Sequence, residues 1–429
     1  MDKNQKGQKI FPKAFLWGAS TSAHQVEGEP LNDWSVWELE HAHVLAKTAH
    51  KRLGWLPVWD EIKHQAEDPY NYISGRGVEH YERFREDFDI AKSLNLNAFR
   101  FGIEWSRLEP EEGMWDQEAI DHYKTYIAEL KKRHIEPMPN LWHWSMPIWF
   151  TDLGGFEKKA NLRYFERFVQ KFADELLDGV NFVITLNEPN VYTTYGYLTG
   201  DPITGMWPPA KRSLRKSLLV YQHLALAHRQ AYVILKQAKP KLQVGLAAQL
   251  ANIQAYRPHN FFDELSTKVM RYGWNWWFLR RVRNEQDFVG VNYYFSDYYT
   301  GLAKRKSPSV PLNDMGWYME PEGLYPLLLR AWAHYHKPII VTENGVADRH
   351  DQYRQWWIEE SIVAMERALS EGVEIHGYFH WSLLDNFEWA YGWWPKFGLV
   401  AVDREHGMKR TIRPSAKWFA KRIKDLEVD

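Results

Sequence analysis

Short runs of apolar, β-branched and aromatic residues recur along the chain, and several are followed by stretches whose apolar positions fall three and four apart. The runs FLWGAS (from Phe15), AFRFGIEW (Ala98), EPMPNLWH (Glu136), FVITLNEP (Phe182), QVGLAAQL (Gln243), DFVGVNYYF (Asp287), PIIVTENG (Pro338) and IHGYFHWSLLD (Ile375) have the length and composition of buried strands. Between them, the spacing of Tyr81, Phe84, Phe88 and Ala91 predicts an amphipathic helix. The same spacing recurs at Ile120, Tyr123, Ile127 and Leu130, and at Phe165, Val169, Phe172 and Leu176. Eight strands alternating with helices predict an α/β fold with a parallel sheet closed into a (β/α)8 TIM barrel, its loops elaborated at the C-terminal face. No Pro/Gly/Ser-rich linker or break in composition interrupts the rhythm, so residues 1–429 read as a single barrel domain. The stretch from Asn32 to Gly77 is too long for a simple turn and predicts a structured loop over the top face.

Composition narrows the partner. With 54 basic and 55 acidic residues the formal net charge is -1, which supplies no field to draw in nucleic acid or an anionic membrane surface. The basic PPAKRSLRKS stretch at Pro208 reads as a solvated face leading into a helix. Cysteine is absent, which excludes disulfides, thiolate metal sites and thiol nucleophiles. His64, His80 and His122 are scattered without ligand spacing, so no metal site is expected. The opening MDKNQKGQKIFPKAFLWG is charged and lacks the apolar run of a secretory signal, and no stretch reaches the length of a membrane span; cytoplasmic residence is the expectation. Tryptophan stands out at 23 residues, several beside polar residues where strands end (LWHWSMPIWF, FHWSLLDNFEWAYGWWPKFG). Flat rings placed there can stack on the apolar faces of sugar rings while polar neighbours hold the hydroxyls; the remaining tryptophans read as core.

Active sites of such barrels lie at the C-terminal ends of the strands. Polar and aromatic residues gather at six of these ends: Glu104 with Trp105, His143 with Trp144, Asn187 with Glu188, Asn292 with Tyr294, Glu343 with Asn344, and Trp381 with Asp385. The carboxylates of the fourth and seventh strands face each other across the predicted mouth. Two facing carboxylates are the minimum equipment for glycoside hydrolysis, where one carboxyl delivers a proton to the leaving oxygen and the other attacks the anomeric carbon.

TLNEPN (from Thr185) and VTENG (from Val341) resemble the acid/base and nucleophile motifs of glycoside hydrolase family 1, the family of β-glucosidases and their relatives. FLWGASTSAHQVEG at Phe15 is similar to that family's N-terminal signature, and WSLLDNFEWAYGWWPKFGLVAVD at Trp381 to its C-terminal sugar-binding segment. RFGIEWSRLEP, LWHWSMPIW and DFVGVNYY fill strands two, three and six, so the resemblance runs from about Phe15 to Asp403. It implies a retaining β-glycosidase of the β-glucosidase type that removes terminal non-reducing β-D-glycosyl residues from small β-glycosides or oligosaccharides by double displacement, with no cofactor. β-Galactosides and β-fucosides are implied alongside β-glucosides, and the single domain becomes a catalytic one. Glu188 is implied as acid/base and Glu343 as nucleophile, Arg100 as the cation beside the nucleophile and Tyr294 as a hydroxyl donor to the same carboxylate. The negative charge on Glu343 would then raise the pKa of Glu188. The glycone pocket maps onto Gln25, His143, Asn187, Glu388 and Trp389 as hydrogen-bonding residues, with Trp381 as a stacking floor. Trp144 follows the pocket histidine, and Trp317 resembles the tryptophan of the aglycone side.

Ser145 stands where many members carry aspartate, and Gln249 where many carry asparagine, so the aglycone preference is left open. The segment from Ala251 to Gln286 is short and holds MRYGWNWWFLRRVR (from Met270). It reads as a helix packed on the barrel, with an alternative in which it borders a gap for a planar anionic ligand such as haem, Tyr272 serving as axial ligand. Three other functions stand beside the β-glucosidase reading. A 6-phospho-β-glycosidase would carry serine and lysine where Glu388 and Trp389 stand, and a carboxylate there would repel phosphate. A non-catalytic sugar-binding barrel would have no use for both glutamates and Arg100. A thioglucosidase of the plant type lacks the acid/base glutamate that Glu188 supplies.

Overall fold

The computed structural model describes residues 11–29, 31–305 and 309–427. Its centre is a closed barrel of parallel strands: β1 (Leu16–Ser20), β2 (Ala98–Gly102), β3 (Glu136–Asn140), β4 (Phe182–Asn187), β5 (Gln243–Gln249), β6 (Phe288–Tyr293), β7 (Ile339–Asn344) and β8 (Ile375–Trp381). Each coincides with one of the eight predicted runs. Strands pair in chain order, and β8 closes on β1 with Ser20 opposite Trp381. Registers such as Ser20 with Arg100 and Gln249 with Asn292 bring the C-terminal residues of the strands into one ring.

The barrel interior is filled rather than hollow. Ala98, Met138, Ile184, Ala247, Phe288, Ile340 and Phe379 form one buried cluster inside it. Large rings fit because glycine faces them: a Cβ at Gly18 would lie 2.4 Å from Phe379, and one at Gly245 would lie 2.7 Å from Phe288. Large and small residues thus alternate so that the interior reaches the close packing of a protein core.

Around the barrel, helices at His80–Ser93, Gln117–Lys132 and Leu162–Leu176 occupy the three predicted positions. The second is capped by Asp116, whose carboxylate accepts from the Ala119 amide at 3.0 Å. Phe84, Phe88, Tyr123, Phe165 and Phe172 are buried as the pattern requires. Tyr81 departs from it: half-buried, the ring stacks on His122 at 3.6 Å, with the Arg107 guanidinium 4.3 Å from its centre. His80 is buried between Asp87 and the Tyr126 hydroxyl, each at 2.8 Å.

The long segment after Asn32 folds into helices Asp33–Lys47, Ala49–Leu53 and Trp59–Ala66. Asn32 and Ser35 cap the first reciprocally: the Asn32 side chain accepts from the Ser35 amide at 2.9 Å and the Ser35 hydroxyl accepts from the Asn32 amide at 3.1 Å. Two bonds tie the segment to the barrel top. Asp33 accepts from the Met146 amide at 2.7 Å, and Asn71 donates to the Tyr391 carbonyl at 3.1 Å. Between β5 and β6 the chain forms a short strand (Asn252–Ala255), a helix (Phe261–Arg271), a π-turn (Tyr272–Trp276) and a last helical turn (Trp277–Arg281). The short strand pairs with Ser296–Thr300, which follows β6, and builds a wall at the mouth.

Because Phe379 fills the barrel interior, Phe379→Ala is expected to cost about 3–5 kcal/mol. A urea-unfolding midpoint unchanged from wild type would show that this layer is not closely packed.

Candidate active site

Asn187 ends β4, and Glu188 follows in a left-handed conformation (φ 44°, ψ 59°) before Pro189 starts the helix Pro189–Thr193. The turn places Glu188 at the mouth, while its amide donates to Ala247 on β5 at 2.8 Å. Trp144 (φ 75°) and Trp389 (φ 49°) hold similar backbone conformations. Positive φ costs a residue with a side chain of order 1 kcal/mol or more, and such costs gather at functional sites, where the surrounding packing enforces them.

Glu343 lies near the end of β7, buried, and takes two donors: the Arg100 guanidinium and the Tyr294 hydroxyl, the latter at 2.6 Å. Arg100, wholly buried on β2, also donates to the Asn187 side-chain oxygen Oδ1 at 2.6 Å. Glu188 accepts from the Asn292 amide at 2.7 Å; the same nitrogen reaches the Asn187 oxygen at 3.1 Å, and the Asn292 oxygen accepts from the Thr342 hydroxyl at 2.6 Å. With its oxygen occupied by two donors, Asn187 has only its nitrogen left for His143 Nε2, 2.9 Å away. That direction makes Nε2 an acceptor and puts the imidazole proton on Nδ1, which has no protein partner.

The electrostatics of these groups diverge. Burial, then the charge of Glu343, pushes Glu188 well above the usual carboxylate range, against the opposing bond from Asn292 and the charge of Arg100. Burial and Glu343 likewise push Glu388 up to about 8. His143 falls well below the ordinary imidazole value through burial and the Arg100 cation, so the ring is neutral. Burial and the neighbouring Glu343 keep the Tyr294 hydroxyl protonated, as a donor must be.

Nine predicted residues line one cavity: His143, Trp144, Glu188, Tyr294, Trp317, Glu343, Trp381, Glu388 and Trp389. Arg100, Asn187 and Gln25 are fully buried behind this wall and bond to residues that form it. Gln25 donates to the Phe387 carbonyl at 2.7 Å and approaches Glu388 at 3.4 Å, which fixes the loop carrying Glu388 and Trp389. Trp144 donates to the Asn187 carbonyl at 3.0 Å and packs 4.9 Å from Trp389. Trp317 packs against Tyr294, Phe295 and Phe397 at the outer side.

Two strand-end carboxylates serve the scaffold instead. Glu104 accepts from the hydroxyls of Ser106 and Ser145, at 2.8 and 2.9 Å, and Asp385 pairs with Arg413 through two bonds of 3.0 and 2.8 Å. Ser145 is therefore turned toward Glu104, whereas Gln249 lines the cavity and accepts from Trp274. The cavity also contains Tyr195, Trp207, Trp274, Met315, Tyr391 and Phe397, none of which the sequence singled out. They lie outside the barrel strands, with Tyr195, Trp274 and Tyr391 in short helical turns, where no strand-end position marks them. Asn292 was visible as a strand-end residue, but its bond to Glu188 depends on the register of β6.

The aromatic and basic cluster after Met270 packs as a helical segment. Trp277 stacks on Tyr221 at 4.4 Å with Arg281 3.9 Å from the ring centre, and Trp276 is buried beside His334. Tyr272 opens the π-turn on the exposed side. Its neighbours' rings are thus engaged by protein partners, and the haem reading gains no support from this packing. Among the described residues no cluster of three or more His, Asp or Glu could hold a metal ion, and no helix is long and apolar enough to cross a membrane.

A closed (β/α)8 barrel with two buried glutamates in one cavity at the C-terminal mouth, walled by tryptophan, defines a glycoside hydrolase of the β-glycosidase class. The comparisons agree. The model of glycosyl hydrolase family 1 matches residues 7–284 and 278–427, and the chain belongs to that family. A β-glucosidase A of Acetivibrio thermocellus is 29% identical, the alignment covering 97% of this chain and 98% of that one. A chloroplastic galactolipid galactosyltransferase of Arabidopsis thaliana is 31% identical over 90% of this chain, which spans 64% of that relative's length. Among solved structures, a β-glycosidase from Pyrococcus horikoshii superposes with a TM-score of 0.84 at 32% identity, covering 98% of this chain and 96% of its own.

The Asn292 bond favours the ionised form of Glu188. In Asn292→Ala the Glu188 carboxyl is therefore expected to titrate at higher pH than in wild type. Carboxyl-13C NMR of labelled glutamate, with Glu188→Gln identifying the resonance, measures this; an unchanged or lower titration point contradicts the assigned bond.

Proposed function

We propose that the chain acts as one catalytic unit, a retaining β-glycosidase in which Glu343 is the nucleophile and Glu188 the acid/base. The observation that carries this reading is the contrast between the two glutamates of a single cavity. Glu343 receives a cation and a hydroxyl, whereas Glu188 receives one amide and lies under the repulsion of Glu343.

In the first half-reaction Glu343 attacks the anomeric carbon from the face opposite the leaving group, and Glu188 gives its proton to the departing glycosidic oxygen. Forming the ester removes the charge on Glu343, so the repulsion that held the proton on Glu188 disappears. Glu188 then takes a proton from water, which attacks the glycosyl ester and restores Glu343 with a second inversion. Two carboxyls supply both nucleophile and proton, so the sequence of steps needs no metal or cofactor.

The neutral imidazole of His143, the Glu388 carboxyl and the Trp389 indole supply polar contacts to the glycone, with the Trp381 ring as its stacking surface. Asn187 and Gln25 act as positioning residues through Arg100, His143 and Glu388. With its pKa near 8, Glu388 is largely protonated at neutral pH and can donate to one hydroxyl while accepting from another. This supports turnover of β-glucosides together with β-galactosides and β-fucosides. It also weakens the expected repulsion of a 6-phosphate by Glu388. The case against phosphorylated substrates rests instead on the cavity wall, where the described residues include no lysine, arginine or serine.

A panel of nitrophenyl glycosides tests the specificity: unphosphorylated β-anomers are turned over and α-anomers are not, and a preference for a 6-phosphate would overturn the reading. Substitutions test the roles. Glu343→Gly removes the attacking atom, so kcat should fall by several orders of magnitude for every leaving group. Glu188→Ala removes only proton transfer. Dinitrophenyl β-glucoside should then show a burst followed by slow turnover, which azide accelerates with formation of the β-glycosyl azide. An α-azide product, or a Glu188→Ala variant equally impaired on all leaving groups, would reverse the assignment.

A further inference from the structure

Beyond the cavity holding the glutamates lies a second, larger one of about 590 Å3, and the two share Tyr195, Trp274, Phe295, Met315 and Trp317 as common wall, together with the mutually bonded Asp201 and Tyr391. Its size falls in the range of sites that enclose a drug-sized ligand, ~300–1,000 Å3. The shared wall lies on the Trp317 side, so whatever leaves with the glycosidic oxygen has this space to occupy.

The lining tells what could fill it. Ile203, Ile253, Met270, Phe295, Leu312 and Met315 present aliphatic, thioether and aromatic surface. Many of the polar groups between them already have protein partners. Asp201 accepts from the amides of Ile203 and Thr204, at 2.8 and 2.6 Å, and from the Tyr391 hydroxyl at 3.0 Å. Asp297 is paired with Lys304 at 2.6 Å. Trp274 donates to Gln249, and Trp55 donates to the Arg52 carbonyl at 3.0 Å. A second sugar ring carries several hydroxyls that lose water on entering, and a wall so engaged repays few of them. An alkyl or fused-ring aglycone gives up no hydrogen bonds to water on entry and removes its own surface from water.

We propose that the preferred substrates are β-glycosides of long apolar alcohols, their aglycone held in this second cavity; the inference rests on the β-glycosidase reading of the adjoining site. Loss of the alcohol follows the same balanced step: the anomeric carbon–oxygen bond breaks, Glu343 takes the glycosyl group, and the alkoxide oxygen leaves with the Glu188 proton.

Alkyl β-D-glucosides give a clean test, because the acidity of the leaving alcohol hardly changes with chain length and only binding varies. Measured below their micelle-forming concentrations, methyl, butyl and octyl β-glucosides should rise in kcat/KM, the octyl compound exceeding the methyl by about 100-fold or more, since a buried methylene is worth up to about fourfold. Cellobiose should fall well below the octyl glucoside. Met270→Gln, which keeps side-chain length but adds an amide, should lower the octyl-to-methyl ratio, and Ile203→Asn provides a second variant on a different loop. A ratio within about threefold of unity in wild type, or cellobiose above octyl glucoside, overturns the inference while nitrophenyl β-glucoside turnover keeps the parent reading intact. Failure to hydrolyse nitrophenyl or any alkyl β-glucoside overturns the parent reading itself.

Discussion

The buried guanidinium of Arg100 organises the mouth of the barrel. Three glutamates, Glu188, Glu343 and Glu388, face the same desolvated cavity, while Arg100 bonds directly to only one of them. Charges of like sign in such a medium repel too strongly for all three to ionise together. The cation and the Tyr294 hydroxyl are both spent on Glu343, while burial and the charge of Glu343 push Glu188 and Glu388 above the usual carboxylate range. The same guanidinium acts on His143 by a second route, pointing the Asn187 amide and opposing protonation of the ring. One residue on β2 thus bears on the protonation of groups after β3 and β4.

Shape at the glycone end comes from stacked rings. Trp389 lies between Trp144, at 4.9 Å, and His24, whose imidazole is parallel to it at 5.3 Å. His24 is itself fixed by Glu38 at 2.6 Å and by the Asn32 side chain at 3.1 Å, and Trp34 packs 4.6 Å from Trp389. Asn32, Trp34 and Glu38 all belong to the long segment after β1. That insertion therefore acts as a second layer that immobilises the wall on which a sugar would bind, and preorganisation of this kind reduces the ordering cost of binding. Its caps and the Asp33 bond to Met146 keep the layer in place.

The barrel was legible because its signals are local. Each strand is a short apolar run, and Ser20, Glu188 and Glu343 fall at or beside strand ends, so the candidate carboxylates could be placed before any distance was known. Their separation into different environments was legible only through resemblance, since the side-chain partners of Glu188 and Glu343 come from β2 and from β6 and the residue after it. Glu104 and Asp385 show the limit of the strand-end rule: they occupy equivalent positions, yet serines and Arg413 claim them for the scaffold. Trp207 was invisible for another reason: it sits on a connection with no periodicity, and a tryptophan there looks like one on any other.

A division of labour follows from where the residues are attached. Arg100, Asn187, Asn292, Thr342 and Glu343 lie on strands whose registers are locked by backbone bonds to both neighbours and by the Phe379 and Phe288 layer beneath. A shift of one residue in any of these strands would turn its functional side chain away from the mouth, so the chemistry is as stable as the barrel. The walls of the larger cavity, from Ile203 through Ile253 and Met270 to Leu312, come from connections that the barrel does not constrain in this way. Changes in those connections alter which alcohol is accommodated without moving the carboxyls. On the proposed reading the leaving group is selected by side chains of these connections, and the bond that is broken is set by residues held in strand register.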